Sequence, residues 1–380
     1  PNALFYDDKC IKPFVDESGI KVKPSSEFNP NYSDLEIVSP GIPPTNALVK
    51  RAKNLTSEYD IFVDTSPLKI WISGTNGKTT TTQMMQYLLQ EKGSEAGGNI
   101  GTPLADMDKN ASIWILETSS FTIHYTQKAV PNIYVLLPIT PDHLSWHGDI
   151  NSYISAKLKP VSMMREGEVA IIPEIYKDVK TSAHLITYKN ESDLATHFGI
   201  DIKKINFKGA FLIDALLAMA TDKILFDRID YEKINAFVID PHRQEELKDN
   251  KNRLWVNDTK ATNIDATIAA LKRYKEQYIH LILGGDDKGV DLNELFIYLQ
   301  NCNVKIYAIG SNKEKLCDLA KKYSIAFEMC KNLTDAVEKI DKQLHENETA
   351  LLSPAAASLD EFTSYAHRGD LFKNKVKELQ

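Results

Sequence analysis

The chain has 380 residues, 43% hydrophobic and 26% charged, the balance of a globular protein with several cores and not of a disordered or fibrous one. At about 100–200 residues per domain, that length predicts two to four domains. The 45 Lys and Arg against 52 Asp and Glu leave a net charge of −7, which gives no support to nucleic acid or an anionic membrane as the main partner.

No apolar run approaches the roughly 18 residues of a membrane span, and no stretch has the pattern of a signal peptide. Cys10, Cys302, Cys317 and Cys330 fall in no metal-ligand spacing and read as free thiols in a reducing compartment.

Residues 1–66 read as a small α/β piece. Strands are predicted over 2–6 and 35–38, the second closed by the turn-rich Ser39-Pro40-Gly41-Ile42-Pro43-Pro44, and a helix over 46–55. Ser66-Pro67 marks a boundary. From Leu68 the pattern is strand then helix, repeated. Residues 69–72 form a short apolar strand. Residues 79–91 form a helix with Met84, Met85, Leu88 and Leu89 on one face, ended by Gly93. Buried strands follow over 112–116, 132–137 and 169–172, then a long helix over 211–221. This alternation predicts a parallel sheet with helices on both faces, in a central domain over 67–239. A second alternation starts after Pro241, with strands over 253–256, 279–283, 305–309 and 350–352 and a helix over 264–274. It predicts another α/β domain over 240–380.

The most informative segment is Ser73-Gly74-Thr75-Asn76-Gly77-Lys78-Thr79-Thr80, which follows a strand and opens a helix. Glycines let backbone N–H groups turn inward around phosphate oxygens, and the helix N-terminus adds partial positive charge. Lys78 can reach the β and γ phosphates, and the Thr79 hydroxyl can ligate Mg²⁺. The full phosphate-loop pattern wants glycine where this chain has Ile72, so the match is to G-x-x-G-K-T-T. The plainer alternative is a Gly-rich turn with a chance lysine, and the alignment of strand, loop, Lys-Thr and helix speaks against it. Glu117 ends an apolar strand and suits a second Mg²⁺ contact.

Further segments go beyond nucleotide binding. They are Gly97-Gly98-Asn99-Ile100-Gly101-Thr102-Pro103, Glu117-Thr118-Ser119-Ser120-Phe121, Asp142-His143-Leu144, Ala156-Lys157-Leu158, Pro241-His242-Arg243 and Asp258-Thr259-Lys260-Ala261-Thr262-Asn263. Near the C-terminus stand Gly284-Gly285-Asp286-Asp287-Lys288, Ser353-Pro354-Ala355-Ala356-Ala357-Ser358-Leu359-Asp360 and Arg368-Gly369. In this order, over about 70–372, the series resembles the Mur ligases, the ATP-dependent amide ligases of peptidoglycan synthesis. The segments Asp258 to Asn263, Gly284 to Lys288 and Ser353 to Asp360 resemble those of the branch that adds D-glutamate.

The resemblance implies an α/β fold of three domains: a short N-terminal domain for the UDP-linked substrate, a central phosphate-loop ATPase-type sheet and a Rossmann-like C-terminal domain. It implies an ATP-dependent ligase, monomeric and cytoplasmic, whose small-molecule substrates are UDP-N-acetylmuramoyl-L-alanine and D-glutamate. An acyl phosphate forms first, and the amine of D-glutamate then displaces phosphate through a tetrahedral intermediate. Catalysis is expected to be mostly positioning and charge stabilisation.

By the same resemblance, Gly74 to Thr80 hold the phosphates, and Lys78 neutralises the transferred group. Thr79 and Glu117 hold one Mg²⁺ and His143 a second. Lys157 is carbamylated and supports metal binding. Asn99 contacts the muramoyl-alanine end, with Ser119 beside metal and substrate. Arg243 reaches the γ-phosphate, Asp258 the ribose side of ATP, and Lys260 and Thr262 the phosphates or the incoming amino acid. Lys288, Ser358, Tyr365 and the backbone at Leu359 form the D-glutamate pocket, since two carboxylates call for a cation and N–H or hydroxyl donors. Taken alone, His143 reads as an ordinary loop histidine, Lys157 as a solvated helix lysine and Lys288 as a loop lysine.

The sequence departs from the family in three places. An asparagine pair usual for adenine is replaced by Lys208-Gly209-Ala210-Phe211-Leu212-Ile213-Asp214, so adenine contacts are expected to be apolar or made by backbone. Tyr365 stands where phenylalanine is usual. A first strand and helix are expected ahead of Pro1, which leaves the UDP site assigned loosely to Ser39-Pro40-Gly41. Two rival readings remain: a folylpolyglutamate synthase-like ligase, against which the Ser-Pro-Ala segment speaks, and a phosphate-loop ATPase switch, which leaves Lys260, Lys288 and Ser358 unexplained.

Overall fold

The computed structural model describes residues 3–287 and 289–379. Asn2, the expected start of the first strand, and Lys288, expected in the glutamate pocket, lie outside them. The chain gathers into two compact units, Pro1–Ile202 with Asp214–Asp230, and Lys203–Ile213 with Tyr231–Gln380.

The first unit opens with β1 (Phe5–Asp7), β2 (Phe14–Val15) and β3 (Lys21–Pro24), in the order β1-β3-β2. β4 (Glu36–Ile37) pairs in parallel with β5 (Leu55–Thr56). Between them the helix Ala47–Arg51 is shorter than the sequence predicts. Asn46 caps it, accepting from Leu48 N, and Ala52 already has ψ 142°.

The main sheet of this unit holds β6 (Leu68–Ser73), β7 (Ser94–Gly98), β8 (Ile113–Glu117), β9 (Ile133–Leu136), β10 (Val169–Pro173) and β11 (His184–Tyr188). Its order is β11-β10-β9-β6-β8-β7, and every pairing is parallel. The connection after β6 runs towards one edge and that after β9 towards the other. The carboxyl ends of β6 and β9 therefore flank the point where an open α/β sheet offers a crevice. Trp71, Trp114, Tyr134 and Ile172 from the strands pack with Val161 of the helix Ile150–Met163 in one core cluster.

Several contacts tie the N-terminal segment to this unit, and Asp60 makes three of them. Asp60, on the short helix Glu58–Ile61, accepts the backbone N–H groups of Gln127, Lys128 and Ala129 at 2.7, 2.8 and 2.8 Å. Burial pushes its carboxyl up, but those three N–H donors and the Thr56 hydroxyl outweigh burial and hold it below the usual carboxylate range. A depressed folded value contributes stability that is present above the unfolded pKa of about 3.9 and is lost as pH falls through the folded one. Asp60→Ala should lower stability by about 1–3 kcal/mol at neutral pH by stranding buried donors. Urea melts from pH 7 to pH 3 check this, and the gap between the two proteins should close towards the acid end.

The second unit is built on β12 (Glu245–Lys248), β13 (Leu254–Asn257), β14 (Tyr278–Leu283), β15 (Val304–Ala308), β16 (Ala326–Met329) and β17 (Glu348–Leu352), in the order β12-β13-β17-β14-β15-β16. β12 is antiparallel to β13 and the other pairs are parallel. The pleat sends alternate side chains to opposite faces. Leu281, Leu283, Ile306 and Leu351 pack on the helices Ile264–Arg273, Asn293–Leu299 and Lys313–Lys322. Ile282, Tyr307 and Leu352 pack on Leu333–Asp341 and Tyr365–Glu378. Both faces are covered, as a parallel sheet requires. Among the described residues no helix is long and apolar enough to cross a membrane.

Candidate active site

In the first unit, the expected site residues meet at the carboxyl ends of neighbouring strands. The loop Gly74–Gly77 joins β6 to the helix Lys78–Leu89. Two glycines make its shape possible. Gly74 has φ 142°, and a Cβ there would sit 2.5 Å from Leu137 Cβ. Gly77 has φ 84°, and its Cβ would sit 2.4 Å from Asp214 Oδ1. Neither position has room or conformation for an L side chain. Asp214 is buried beneath the loop, where its Oδ1 accepts from Thr81 Oγ1 at 2.9 Å.

Lys78 folds over the loop, its Nζ donating to Gly74 O at 3.2 Å and Thr75 O at 2.7 Å. Thr75 Oγ1 donates to Thr140 O at 3.0 Å and lies 3.1 Å from the Tyr153 hydroxyl. Asn76 is exposed, Thr79 half-buried and Thr80 buried.

Lys157 is not a solvated helix lysine: it is 1% exposed. Its Nζ donates to Gly74 O at 2.7 Å and Ser73 Oγ at 3.3 Å, and lies 4.8 Å from the centre of the Tyr153 ring. Burial, and then the nearby Lys78 charge, push its amine well below the usual lysine range, against the pull of Asp142 and Glu117.

Glu117, at the end of β8, is 3% exposed. Its Oε1 accepts from Asn99 Nδ2 at 2.8 Å, while Oε2 is buried with no hydrogen-bond partner among the described residues. A buried carboxylate oxygen left open in this way suits a hard cation. Asn99, expected at the muramoyl-alanine end, turns its side chain onto Glu117, and its backbone N–H donates to Glu117 O at 2.8 Å. Ser119 caps the helix Ser120–Tyr125, its Oγ accepting from Thr122 N at 3.0 Å. His143 has φ 54° and a side chain 49% exposed, with Asp142 Oδ2 3.5 Å from its Nε2. The described residues contain no group of three or more His, Cys, Asp and Glu placed to hold a metal. Such an ion would therefore need oxygens beyond these side chains.

The second unit has its own constellation, on the loops after β13, β14 and β17. Asp258, expected at the ribose side of ATP, is 6% exposed. Its oxygens accept from Gln244 N at 3.2 Å and Ser353 Oγ at 2.8 Å. Burial raises its carboxyl to about 7, only partly offset by the Ser353 hydroxyl, Gln244 N–H and the Arg243 charge. The carboxyl thus anchors the half-buried Arg243 turn. Lys260 Nζ sits 3.9 Å above the centre of the Tyr365 ring, so these two expected residues are brought together. Ser358 is 3% exposed, Leu359 is 72% exposed, and Thr262 is exposed.

The sequence singled out Arg368 without giving it a role. It is fully buried. Nε donates to Thr259 Oγ1 at 2.8 Å, Nη2 to Thr259 O at 3.0 Å and Ala356 O at 3.1 Å, and Nη1 to Ala357 O at 3.3 Å and Gly284 O at 3.5 Å. One guanidinium thus holds three loops, and burial lowers its pKa to about 10 without removing its charge at neutral pH. Its place after a short Ala-rich run and directly before Gly369 was the only signal available.

Two family models match the chain: the Mur ligase middle domain over residues 72–215 and the Mur ligase, glutamate ligase domain over residues 242–356. The UDP-N-acetylmuramoylalanine–D-glutamate ligase of Campylobacter jejuni is 55% identical over 98% of this chain and 93% of its own length. That of Helicobacter pylori is 46% identical over 97% and 92%. Among solved structures, the MurF ligase from Thermotoga maritima in complex with ADP superposes with a TM-score of 0.62 at 15% identity, over 86% of this chain and 85% of its own. E. coli FolC in complex with DHPP and ADP gives 0.60 at 14% identity, over 89% and 99%. At these identities the two structures share the fold.

Proposed function

The chain belongs to the Mur ligase family, and from that premise we infer that it is the ATP-dependent ligase joining D-glutamate to UDP-N-acetylmuramoyl-L-alanine in peptidoglycan precursor synthesis. The observation that carries the chemistry is the meeting of the phosphate loop, the open Glu117 oxygen and the buried Lys157 at neighbouring strand ends. The alanyl carboxylate attacks the γ-phosphorus of ATP, ADP leaves, and an acyl phosphate results. The D-glutamate amine, having lost a proton, attacks the acyl carbon, and the tetrahedral intermediate collapses with loss of phosphate. Lys78, on the phosphate loop, is the chain's own counter-charge to the group in transfer.

We assign Thr79 and Glu117 to one Mg²⁺ and His143 to a second, and these ions when bound would supply charge neutralisation at the phosphates. We also assign a carbamate to Lys157. A buried amine held away from its protonated form is the nucleophile that CO₂ requires, and the product is an anion where Lys78 already supplies a cation. Gly74 to Gly77, Lys78 and Thr80 are assigned to the phosphates, and Asn99 to the orientation of Glu117. In the second unit, Arg243 and Lys260 offer cations for phosphate or carboxylate, and Lys288, Ser358, Leu359 and Tyr365 are assigned to the acceptor amino acid. Dependence on ATP and a nucleotide-linked precursor places the enzyme in the cytoplasm.

The test is phosphate release with ATP, Mg²⁺ and UDP-N-acetylmuramoyl-L-alanine, offering D-glutamate, L-glutamate, L-lysine and diaminopimelate in turn. Product is expected with D-glutamate alone. Turnover with L-lysine or a folate and none with D-glutamate would overturn the reading. Hydrolysis without any acceptor would favour a phosphate-loop switch.

A further inference from the structure

Three side chains from one short stretch close on a single ring. The one-turn helix Leu144–His147 follows His143 and ends at Gly148. Phe121, on the helix Ser120–Tyr125, meets the ring of His143 edge-on at 4.7 Å, that of Trp146 at 4.6 Å, and stacks on His147 at 5.7 Å. His147 also reaches the neighbouring residue of that helix: its Nε2 lies 2.9 Å from Ser120 Oγ, and Ser120 is 3% exposed. Within the turn, His143 O accepts the backbone N–H groups of Trp146 and His147 at 3.0 and 3.1 Å. The backbone of His143 and the ring of His147 are thereby parts of one rigid turn.

Glu117 ends β8, and His143 stands on the loop after β9. A small hard dication demands near-ideal geometry, so two such ions, one held by Glu117 and the other by His143, need their protein ligands braced against each other. Ser120 stands three residues beyond Glu117, and His147 four beyond His143. We propose that His147 is a positioning residue. Through Ser120 it ties the His143 turn to the segment that follows Glu117 and so fixes the spacing of the two groups assigned to the two Mg²⁺ ions. The inference rests on that assignment of Glu117 and His143.

The experiment measures Mn²⁺ binding to the full chain with ADP present, by calorimetry or electron spin resonance, for wild type, His143→Ala, His147→Ala, His147→Gln and Ser120→Ala. His147→Ala should weaken Mn²⁺ binding about tenfold, the usual effect of losing a residue that orients a ligand. Circular dichroism should be unchanged. Ser120→Ala should weaken it in the same direction, and His147→Gln, whose amide still reaches the hydroxyl, should restore most of the affinity. If His147→Ala does not fold, Ser120→Ala and His147→Gln decide. Wild-type affinity in Ser120→Ala and His147→Ala, with His143→Ala weakened, overturns the brace alone. Unchanged affinity in His143→Ala overturns the metal assignment beneath it.

Discussion

Lys157→Ala is expected to lose turnover, and formate or acetate to restore part of it. The side chain is 1% exposed and lies against Gly74 O and Ser73 Oγ, so truncation leaves a cavity behind the phosphate loop. A carbamate would fill that space with two anionic oxygens at the end of a long stem. A small soluble carboxylate supplies the same pair of oxygens without the stem. An ammonium there would stand beside that of Lys78, an arrangement electrostatics disfavours at short range, and burial adds to the penalty. Steady-state rates with and without 0.1–1 M formate (a rough concentration range set by weak anion binding) check the result. An active Lys157→Ala enzyme would refute any role for the residue. An inactive one that no carboxylate rescues would refute the carbamate.

Lys78→Ala should lower turnover by on the order of 10²–10³, the effect of removing one preorganised charge contact from the transition state. The fold should survive. Lys78 is half-buried at the first helical position, whereas the helix is held by Met84, Met85, Leu88 and Leu89, all fully buried. Rapid-quench rates together with circular dichroism separate the two effects. Near-native turnover in a folded Lys78→Ala protein would remove the phosphate-loop reading.

The parts of the fold that sequence reasoning finds and misses divide along a physical line. In both large sheets the interior strands β6, β8, β9, β10, β13, β14, β15 and β17 are near-continuous apolar runs, because parallel strands covered on both faces need them. The four strands of these two sheets that it overlooks, β7, β11, β12 and β16, are their four edges; it also misses β2, β3 and β5 of the small N-terminal sheets. Ser94-Glu95-Ala96-Gly97-Gly98 and Glu245-Glu246-Leu247-Lys248 carry almost no apolar pattern, since one side of an edge strand is unpaired and its faces are less covered. The site divides in a similar way. The phosphate loop is contiguous and legible from spacing. The burial of Lys157, the bond from Asn99 to Glu117 and the withdrawal of Asp258 onto Ser353 are set by residues distant in sequence, and no local pattern carries them.

The five hydrogen bonds of Arg368 have an evolutionary corollary. The loops at Thr259, Gly284 and Ala356–Ala357 come from separate stretches of the chain, yet they share one guanidinium as their common support. They therefore do not behave as independent modules. A change in one loop that shifts its carbonyl strands donors that the other two depend on, so the mutations that would remodel this face are strongly epistatic. Transplanting a single one of these loops from a distant relative would break the arrangement. A drift in sequence on this face has to keep the three loops and their arginine compatible with one another, which channels its divergence into few and concerted steps.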